Sequence, residues 1–487
     1  MNSLSNRRAK IVCTLGPSSS SPEMIDRLVR AGMDVARLNF SHGTHEQHEK
    51  CITAVRLASG HHEKPIAILA DLQGPKIRTG RLENGHHVHL RFGQRFTITT
   101  RPILGNSEAV STTFRPLPAS VHAGNRILLC DGDIALRVVA TRGTDVITQV
   151  ENGGELGENK GINLPGIKLN IPSLTPKDRV DLMFALRAGA NYVALSFVRS
   201  AADVRAAKKI IARAGKTTPV IAKLEKPEAI ENLDEILRVA DGVMVARGDL
   251  GVEMSPEKVP VVQKRIIAKA RNALVPVITA TQMLDSMEKN PRPTRAEASD
   301  VANAIFDGSD ALMLSGETAA GKYPLESVAM MDRIIREAEA SVTELPRPAR
   351  LAELSIHETI AEAICHAAEE LHLRAVAVFT ESGASARLVS KYRPRAPIIA
   401  LSPNQETRRR ISLLWGVLPR RIENIYDVDK MAAAAEKRLA EEHFAKRGDI
   451  IGMVAGTPIG TSGSTNMMRL IRVGSDGKKQ NGRGGIN

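Results

Sequence analysis

Two short apolar segments, each followed closely by charged residues, mark the first structural unit that the sequence predicts. Val220–Ala222 and Val243–Ala246 have the length and composition of buried strands. Between them, Pro227–Val239 carries apolar residues three or four positions apart, which predicts a helix. Strand, helix and strand in this order form a βαβ unit, so the two parallel strands should end side by side. The charged residues expected at the shared C-terminal end of these strands, the rim, are Lys223, Glu225 and Asp249.

A lysine beside two carboxylates is suited to an anionic ligand that is held through Mg²⁺. Proteins usually hold Mg²⁺ with one or two carboxylates plus water and substrate oxygens, because the ion gives up its hydration reluctantly. The lysine would face the same anionic ligand. A surface salt bridge among these residues is the alternative that one βαβ unit leaves open.

The same pattern recurs along the first two thirds of the chain and predicts an α/β fold, a (β/α)₈ TIM barrel. Eight β/α units in order are what this barrel needs, and its active site lies at the C-terminal ends of the strands. The predicted strands are Ile11–Leu15, Val35–Leu38, Ile66–Ala70, Tyr192–Leu195, Val220–Ala222, Val243–Ala246, Val275–Thr279 and Ala311–Leu314, with helices such as Glu23–Ala31 and Thr44–Ser59 between them. The residues at the predicted rim are Asn39, Ser41, Asp71, Ser196, Lys223, Glu225, Asp249, Thr281, Ser315 and Glu317.

A second domain interrupts the barrel between Gln73 and Leu169. There the apolar period changes to two, in short alternating runs separated by Gly, Asn and Asp turns, which predicts a small β-barrel inserted over the active-site face. Its connections, around Gly74–Pro75 and Gly161–Gly166, are rich in Gly and Pro, so we expect a rigid-body lid. The alternative is an inserted domain that does not move relative to the barrel.

The last part of the chain, after a linker at Leu345–Pro348, predicts a separate α/β domain. The predicted domains are therefore 1–72 and 170–342 for the barrel, 73–169 for the lid and 343–487 for the C-terminal domain. In this last domain, hydroxyl groups and backbone N–H groups at a helix start suggest an anion site, although helix capping explains the motif almost as well. Its residues are Thr380, Ser382, Gly383 and Ser385, with Gly456–Thr465 as a loop over the same ligand.

Charge and composition narrow the classes of partner. The chain has 487 residues and a formal net charge of +13, and strong basicity can indicate nucleic acid. The basic residues are dispersed, however, and aromatic residues make up only 3%, which leaves little for base stacking. We therefore expect an anionic small-molecule ligand and no nucleic-acid partner.

Cysteine usage and hydropathy indicate a cytoplasmic protein without a membrane partner. The four cysteines are far apart and form no CxxC pair, so the sequence predicts neither a disulfide framework nor a zinc ribbon. No apolar run approaches the ~20 residues that a membrane span needs. The positively charged N-terminal residues are not followed by an apolar stretch of signal-peptide length.

Seven segments distributed in order along the chain carry the most specific signal. They are IVCTLGP (Ile11–Pro17), ARLNFSHG (Ala36–Gly43), DLQGPKIRTG (Asp71–Gly80), NLPG (Asn163–Gly166), MVARGDLG (Met244–Gly251), TATQML (Thr279–Leu284) and SGETAAGKYPLE (Ser315–Glu326). Together they closely resemble the signatures of the pyruvate kinase family, in that family's order, whereas any one alone would be weak. The resemblance implies a barrel with an inserted lid, a C-terminal regulatory domain and a homotetramer.

The resemblance also implies a reaction. The family transfers the phosphoryl group of phosphoenolpyruvate to ADP and then protonates the enolate to give pyruvate and ATP in glycolysis. Such a transfer needs cations placed around the moving negative charge rather than a covalent nucleophile. By resemblance, Glu225 and Asp249 hold the Mg²⁺, for which Mn²⁺ can substitute, and the backbone of Gly248 and Asp249 meets the substrate carboxylate. Lys223 and Arg37 contact the transferring group, and Lys223 stabilises its transition state.

The proton donor and the nucleotide site are implied less fully. Thr281 contacts the substrate near the face where the enolate is protonated, and the donor stays open between Thr281, a water and a relay through Ser315 and Glu317. A second Mg²⁺ would arrive with ADP. The implied nucleotide-binding residues are Asn39, Ser41, His42 and Arg78, with Lys160 reaching down from the lid; a plain loop histidine at His42 and a solvated lysine at Lys160 are the alternatives.

One departure from the family's pattern affects the binding of a monovalent cation. Many members require K⁺, which they coordinate at positions matching Asn39, Ser41, Asp71 and the carbonyl of Leu72. Those members have a threonine in place of Leu72 and a glutamate in place of Lys76. A lysine ammonium here supplies the positive charge that K⁺ otherwise provides, and it repels the ion. We therefore predict that this site is not occupied and that K⁺ is not required.

Two other functions and the identity of the regulator stay open. Another barrel enzyme acting on phosphoenolpyruvate or an enolate-forming acid would not need the nucleotide-side residues Asn39, Arg78 and Lys160. A catalytically silent basic binding protein would be expected to lose some of the catalytic residues, and none is lost. The resemblance implies a phosphorylated allosteric effector at Thr380–Ser385, with fructose bisphosphate, another sugar phosphate and AMP all left open.

Overall fold

Eight parallel strands close into a barrel in the computed structural model, which describes residues 7–167, 169, 171–342, 346–349, 353–457 and 465–474. The strands are short and almost entirely buried, because side chains fill the interior and helices cover the outside. All eight predicted strands are present within two residues at either end. Their bounds are Lys10–Leu15, Val35–Asn39, Ala67–Asp71, Tyr192–Leu195, Val220–Leu224, Gly242–Ala246, Val277–Ala280 and Ala311–Leu314.

Helices follow the barrel strands, and several begin with a capping box that satisfies free N–H groups of the first turn. Thr44 and Gln47 form one such box at the start of the helix that follows the second strand. The helices of this part are Pro22–Ala31, His45–His61, Pro176–Arg187, Ala201–Arg213, Pro227–Glu231, Leu233–Leu237, Arg247–Glu253, Val259–Asn272, Arg295–Asp307, Gly316–Ala319 and Pro324–Ser341.

The prediction of a single helix over Pro227–Val239 is wrong. The segment forms two short helices that are interrupted at Asn232, where the backbone leaves the helical region (φ −94°, ψ 19°). The Asn232 side chain donates a hydrogen bond to the Arg199 carbonyl oxygen at 2.9 Å. Asparagine competes with helical backbone bonding in this way, and apolar spacing alone does not reveal it.

In its described residues the inserted segment is all β, apart from one short helix at Leu117–Ser120 and two 3₁₀ turns, and it has its own apolar core. The predicted all-β insertion is present, and its strands form a six-stranded sheet and a two-stranded sheet that share this core. The six-stranded sheet contains Arg95–Thr99, Ala109–Ser111, Arg126–Leu129, Ile134–Arg142, Asp145–Asn152 and Ile162–Asn163, and the smaller sheet pairs Val88–Leu90 with Gly154–Leu156.

The C-terminal segment forms the predicted α/β domain around one five-stranded sheet. The helix Val428–Glu441 is followed by His443, whose positive φ of 60° lies outside the right-handed helical region. The strands, in spatial order, are Val417–Arg421, Ile398–Ser402, Val376–Phe379, Ile450–Gly456 and the antiparallel Thr465–Arg472; the helices are Ile356–Glu370, Ala384–Lys391, Gln405–Ile411 and Val428–Glu441.

A buried charge cluster joins this domain to the barrel. Asp310, just before the last barrel strand, lies 2.8 Å from Lys391 Nζ and 2.9 Å from an Arg393 guanidinium nitrogen. Arg393 also stacks on Trp415 at 4.4 Å from the ring centroid. The exact domain boundaries stay predictions. Among the described helices, none combines the length and the apolar character that crossing a bilayer requires.

Candidate active site

Four charged side chains from three barrel strands meet at the C-terminal rim. Arg37 Nε donates to Asp71 Oδ2 at 2.7 Å. Lys223 Nζ lies 3.2 Å from Asp71 Oδ1 and 2.8 Å from Glu225 Oε1. Lys223 and Glu225 are two residues apart at a strand end, so their side chains share one face. The predicted rim is therefore present, and Asp71 belongs to its centre.

The pKa values in this cluster follow from burial and from these charges. Burial opposes the charge on Lys223, but the Asp71 and Glu225 carboxylates outweigh it and raise the pKa of the ammonium. Burial likewise opposes ionisation of Asp71, but Lys223 and Arg37 hold the pKa of that carboxyl below its usual range. Burial, together with the nearby Asp249 carboxylate, raises the pKa of Glu225. The site therefore holds a lysine, Lys223, that retains its proton, next to a carboxylate, Glu225, whose negative charge is only partly neutralised.

Hydroxyl and backbone groups fix the orientation of these side chains. Lys223 Nζ donates to Ser196 Oγ at 2.8 Å, and Ser196 in turn donates to the Leu72 carbonyl oxygen at 2.7 Å. Arg37 donates to Thr14 Oγ1 at 2.9 Å. Glu225 Oε2 accepts the Phe197 N–H at 2.7 Å. Each charged group is thus held by a neighbour on an adjoining strand end.

The carboxylates fit a divalent cation. Glu225 Oε1 is buried and makes no hydrogen bond of regular geometry to any residue that the structure describes, its contact being the ion pair with Lys223. Asp249, in the first turn of the helix Arg247–Glu253, adds a second carboxylate to the field at Glu225. In the described part of the chain, no group of three or more His, Cys, Asp or Glu side chains is placed to enclose a metal. Two carboxylates completed by water and substrate oxygens are the arrangement typical of Mg²⁺.

A strained turn presents Thr281 to the same rim. Thr281 and Gln282 both have positive φ, at 70° and 52°. Thr281 Oγ1 accepts the Gly248 N–H at 2.8 Å and lies 2.7 Å from the Ala280 carbonyl oxygen. Arg247 donates to the Thr281 carbonyl oxygen at 2.6 Å while paired with Asp300, so its guanidinium holds the turn in place.

Ser315 and Glu317 lie at the end of the eighth strand. Glu317 is buried, and its two oxygens accept the Leu284 N–H at 3.0 Å and the Ser315 N–H at 2.6 Å. Burial raises the pKa of this carboxyl. Ser315 Oγ is buried and makes no hydrogen bond to any described residue, so a proton-carrying hydroxyl is available beside an acid that retains its proton more readily than usual.

The predicted nucleotide-binding residues lie in two separate segments. Asn39 Oδ1 accepts the Ser41 N–H at 3.1 Å, which orders the loop that also carries His42. Burial, with the charges of Arg78, Lys76 and Arg37, lowers the pKa of His42. On the lid side, Arg78 donates to the Asn159 carbonyl oxygen at 3.0 Å, and the Lys160 N–H donates to Thr79. Lys160 is exposed.

Lys76 lies at the first lid connection. Its Nζ is 3.7 Å from Asp131 Oδ1, a lid residue, and its side chain packs beside Gly161. The oxygens of the implied K⁺ site already have partners here, since Asp71 contacts two cations and the Leu72 carbonyl accepts the Ser196 hydroxyl.

The effector candidates lie together at a helix start in the C-terminal domain. Gly383 has a φ of 92°, immediately before the helix Ala384–Lys391, and its N–H donates to Thr380 Oγ1 at 2.9 Å. Ser385 Oγ lies 2.6 Å from Thr465 Oγ1, whereas Ser382 is exposed. Residues 458–464 of the predicted covering loop lie outside the described residues.

Sequence reasoning gave no role to three residues of this site. Ser196 stands at a predicted strand end but has no charge to single it out. Thr14 and Arg247 lie inside the IVCTLGP and MVARGDLG segments, so their place in those motifs was the available signal. The hydrogen bonds that give these residues a function join different strand ends, so they can be recognised only in the folded structure.

Comparisons with known proteins agree with this architecture. The family model described as pyruvate kinase, barrel domain, matches residues 6–328, and that described as pyruvate kinase, alpha/beta domain, matches residues 358–471. The chain is 47% identical over 470 residues to the pyruvate kinase of Mycobacterium tuberculosis strain H37Rv, covering 96% of this chain and 99% of that protein. It is 45% identical over 470 residues to the pyruvate kinase of Geobacillus stearothermophilus, covering 95% and 80%. A crystal structure of a pyruvate kinase from Cryptosporidium parvum superposes with a TM-score of 0.89 at 38% identity, covering 96% of each chain.

Proposed function

The chain belongs to the pyruvate kinase family, and from this premise we propose how its barrel rim carries out the family's reaction. The activity is transfer of the phosphoryl group of phosphoenolpyruvate to ADP, which gives pyruvate and ATP in glycolysis. The single observation that carries the residue assignments is the position of Lys223. Its ammonium lies between the Asp71 and Glu225 carboxylates, in the part of the rim where an anion and a metal would meet.

The family implies a divalent metal, and Glu225 and Asp249 are the residues proposed to hold it. Mg²⁺ is the expected ion and Mn²⁺ a substitute, and a second ion would arrive with the nucleotide. When bound, the metal neutralises charge on the substrate oxygens. The proposal is supported by the buried Glu225 oxygen, which makes no regular hydrogen bond within the described part of the chain, and by the repulsion that Asp249 adds.

Lys223 and Arg37 are proposed to face the transferring phosphoryl group. Asp71 contacts both cations and so keeps them side by side, and Ser196 and Thr14 restrict their rotation. Cations fixed in advance stabilise developing negative charge without the cost of reorganising at the moment of reaction. We assign transition-state stabilisation to Lys223 because it is the more centrally placed.

The substrate carboxylate is proposed to meet the backbone of Gly248 and Asp249. Thr281 Oγ1 already accepts the Gly248 N–H, so binding would exchange one acceptor for another and bring Thr281 against the substrate. For the enolate proton, the Ser315 hydroxyl, which has no hydrogen-bond partner among the described residues, and the raised pKa of Glu317 favour the relay over Thr281 or a free water.

ADP is proposed to lie between the loop of Asn39, Ser41 and His42 and the lid residues Arg78 and Lys160. The loop is ordered by its own hydrogen bond, whereas Lys160 is exposed and free to follow the lid. Rigid-body closure over a bound nucleotide would bring the two segments together.

K⁺ is proposed to be dispensable. Lys76, together with Arg78 and Arg37, contributes positive charge at the loop that carries His42, and the Asp71 oxygens are already paired with cations. We further propose a cytoplasmic homotetramer whose phosphorylated effector binds at Thr380, Ser382, Gly383 and Ser385.

A lactate-dehydrogenase-coupled assay tests the proposal. Wild-type protein with phosphoenolpyruvate, ADP and Mg²⁺ should form pyruvate, and Lys223→Met should abolish it while retaining the wild-type melting temperature within a few degrees. Full activity of Lys223→Met would disprove the role given to Lys223. Absence of pyruvate from the wild type, even with added sugar phosphates, would disprove the function itself.

A further inference from the structure

One buried hydrogen bond fastens the inserted domain to the barrel. Asn163 Nδ2 donates to Glu253 Oε1 at 2.9 Å, and both residues are buried. Asn163 belongs to the second lid connection and ends the strand Ile162–Asn163, which pairs with Arg126–Leu129 in the lid sheet. Glu253 belongs to the barrel, so the bond joins the two parts across 90 residues of sequence.

The same Glu253 oxygen also holds the end of a barrel strand. Lys226 Nζ lies 2.6 Å from Glu253 Oε1, and only 2% of the Glu253 side chain is exposed. Lys226 directly follows Glu225 in the sequence, and Glu253 ends the short helix whose first turn carries Asp249. A single carboxylate oxygen thus ties the lid connection to both segments that carry the proposed metal ligands.

A second contact reaches the same helix from the lid. Gly132, in a lid turn, faces Val252 of this helix, and a Cβ added at Gly132 would be at ordinary van der Waals distance, 3.9 Å, from a valine methyl group. Asn163, Lys226 and Glu253 meanwhile line a cleft between the lid connections and the barrel rim. The helix Arg247–Glu253 therefore receives contacts from the inserted domain at both Gly132 and Asn163.

We propose that Glu253 is a positioning residue that couples the lid to the metal-binding carboxylates. The inference rests on the proposed function, since it assumes that Glu225 and Asp249 hold the divalent ion. Because Asn163 and Lys226 share one acceptor atom, displacement of the lid connection shifts the acceptor that fixes the position of Lys226. Removing Asn163 then loosens Glu225 and Asp249, although Asn163 touches neither of them.

The test measures metal binding separately from activity. Asn163→Ala, Glu253→Gln and the double variant are titrated with Mn²⁺ and the free ion is followed by electron paramagnetic resonance, without nucleotide. We expect each single variant to weaken Mn²⁺ binding about tenfold and the double variant no further, since coupled residues are not additive. The kcat for pyruvate formation should fall in parallel, and amide hydrogen exchange should rise in the helix 247–253 as well as in the lid connection.

Matched controls separate coupling from general loosening. Asn152→Ala removes a hydrogen bond of 2.6 Å to the Asp133 carbonyl oxygen that lies wholly within the lid, and it should leave Mn²⁺ affinity and kcat unchanged. If Glu253→Gln fails to fold, the exchanged pair Asn163→Gln with Glu253→Asp restores the span and should recover most of the Mn²⁺ affinity that Glu253→Asp alone loses.

The outcomes are distinguishable. Unchanged Mn²⁺ affinity in Asn163→Ala, or losses that add in the double variant, would overturn the coupling. An equal loss in Asn152→Ala would overturn it as well, because any weakening of the lid would then suffice. Failure of the wild type to form pyruvate while it still binds Mn²⁺ would instead overturn the proposed function.

Discussion

Arg37 Nε donates to Asp71 Oδ2 at 2.7 Å, between neighbouring barrel strands in which Asn39 and Asp71 are in register. The other oxygen of Asp71 lies 3.2 Å from Lys223 Nζ. A single buried anion therefore holds two cations that would otherwise repel each other. The arrangement makes Asp71 necessary for the cation pair that we propose to face the phosphoryl group.

Replacing Asp71 by asparagine tests this relationship. Asp71→Asn keeps the shape but removes the charge, so we expect kcat to fall by about 100-fold or more, as when a preorganised electrostatic contact is lost. The variant leaves Arg37 without its anion and Lys223 with Glu225 alone, so it should also lower the free energy of unfolding by about 3 kcal/mol. Steady-state kinetics and urea unfolding measure the two effects.

The exposed pair of Asp234 and Lys269 provides the control for Asp71→Asn. The Asp234 side chain is 62% exposed, so Asp234→Asn removes a screened surface pair and should change little. Equal losses in both variants would show that Asp71 has no special role.

Ser315→Ala tests the proposed route of the enolate proton. Without the hydroxyl, Glu317 has no intermediate group through which to deliver a proton, so exchange of the methyl hydrogens of pyruvate with D₂O should slow by about tenfold or more. Nuclear magnetic resonance of pyruvate incubated with enzyme, Mg²⁺ and phosphate follows that exchange. Thr281→Ser retains a hydroxyl at the other candidate and should exchange at close to the wild-type rate. Normal exchange in Ser315→Ala would overturn the relay and leave Thr281 or a water as the donor.

The sequence predicted the barrel because each strand is a separate buried apolar run, a signal that is entirely local. It also placed Lys223, Glu225 and Asp71 at the rim, since charge at a strand end is local as well. Strands of two or three residues, such as Ala109–Ser111 and Ile162–Asn163, are too short for any period to appear.

Contacts between residues that are distant in the sequence could not be predicted from sequence patterns. Nothing in the stretch around Glu253 indicates that it meets a lid asparagine 90 residues away. The interruption at Asn232 likewise depends on the carbonyl of Arg199, which lies in a different loop. Such contacts arise when the barrel closes, so they became visible only in the fold.

The prediction that K⁺ is dispensable is tested at constant ionic strength. Replacing tetramethylammonium by K⁺ should change wild-type activity less than twofold, because Lys76 already supplies a positive charge near the site. Lys76→Glu should lower activity without K⁺ by about tenfold, and K⁺ should restore it. Activation of the wild type by many-fold would contradict the prediction and leave the reaction itself intact.

Lys391 gives the protein a pH-dependent stability at the junction of barrel and C-terminal domain. Burial lowers the pKa of this lysine from 10.5 to about 8, although Asp310 opposes the shift. Between these two values the unfolded chain binds the proton and the folded chain does not, so this group makes stability rise with pH. Below pH 8 the folded protein carries the full cost of burying the charge.

Lys391→Met should remove this contribution. Asp310 keeps its pair with Arg393, so the variant should be at least as stable as the wild type at pH 7.5. From there to pH 10.5 the wild type should gain up to about 3 kcal/mol of stability relative to the variant.

The single tryptophan, Trp415, stacks on Arg393 and reports urea unfolding of this junction by fluorescence. The difference between the two proteins is the informative quantity, because the pKa of Lys10 is also lowered to about 8 and contributes equally to both. Parallel stability curves across this range would show that Lys391 keeps its ordinary pKa in the folded protein.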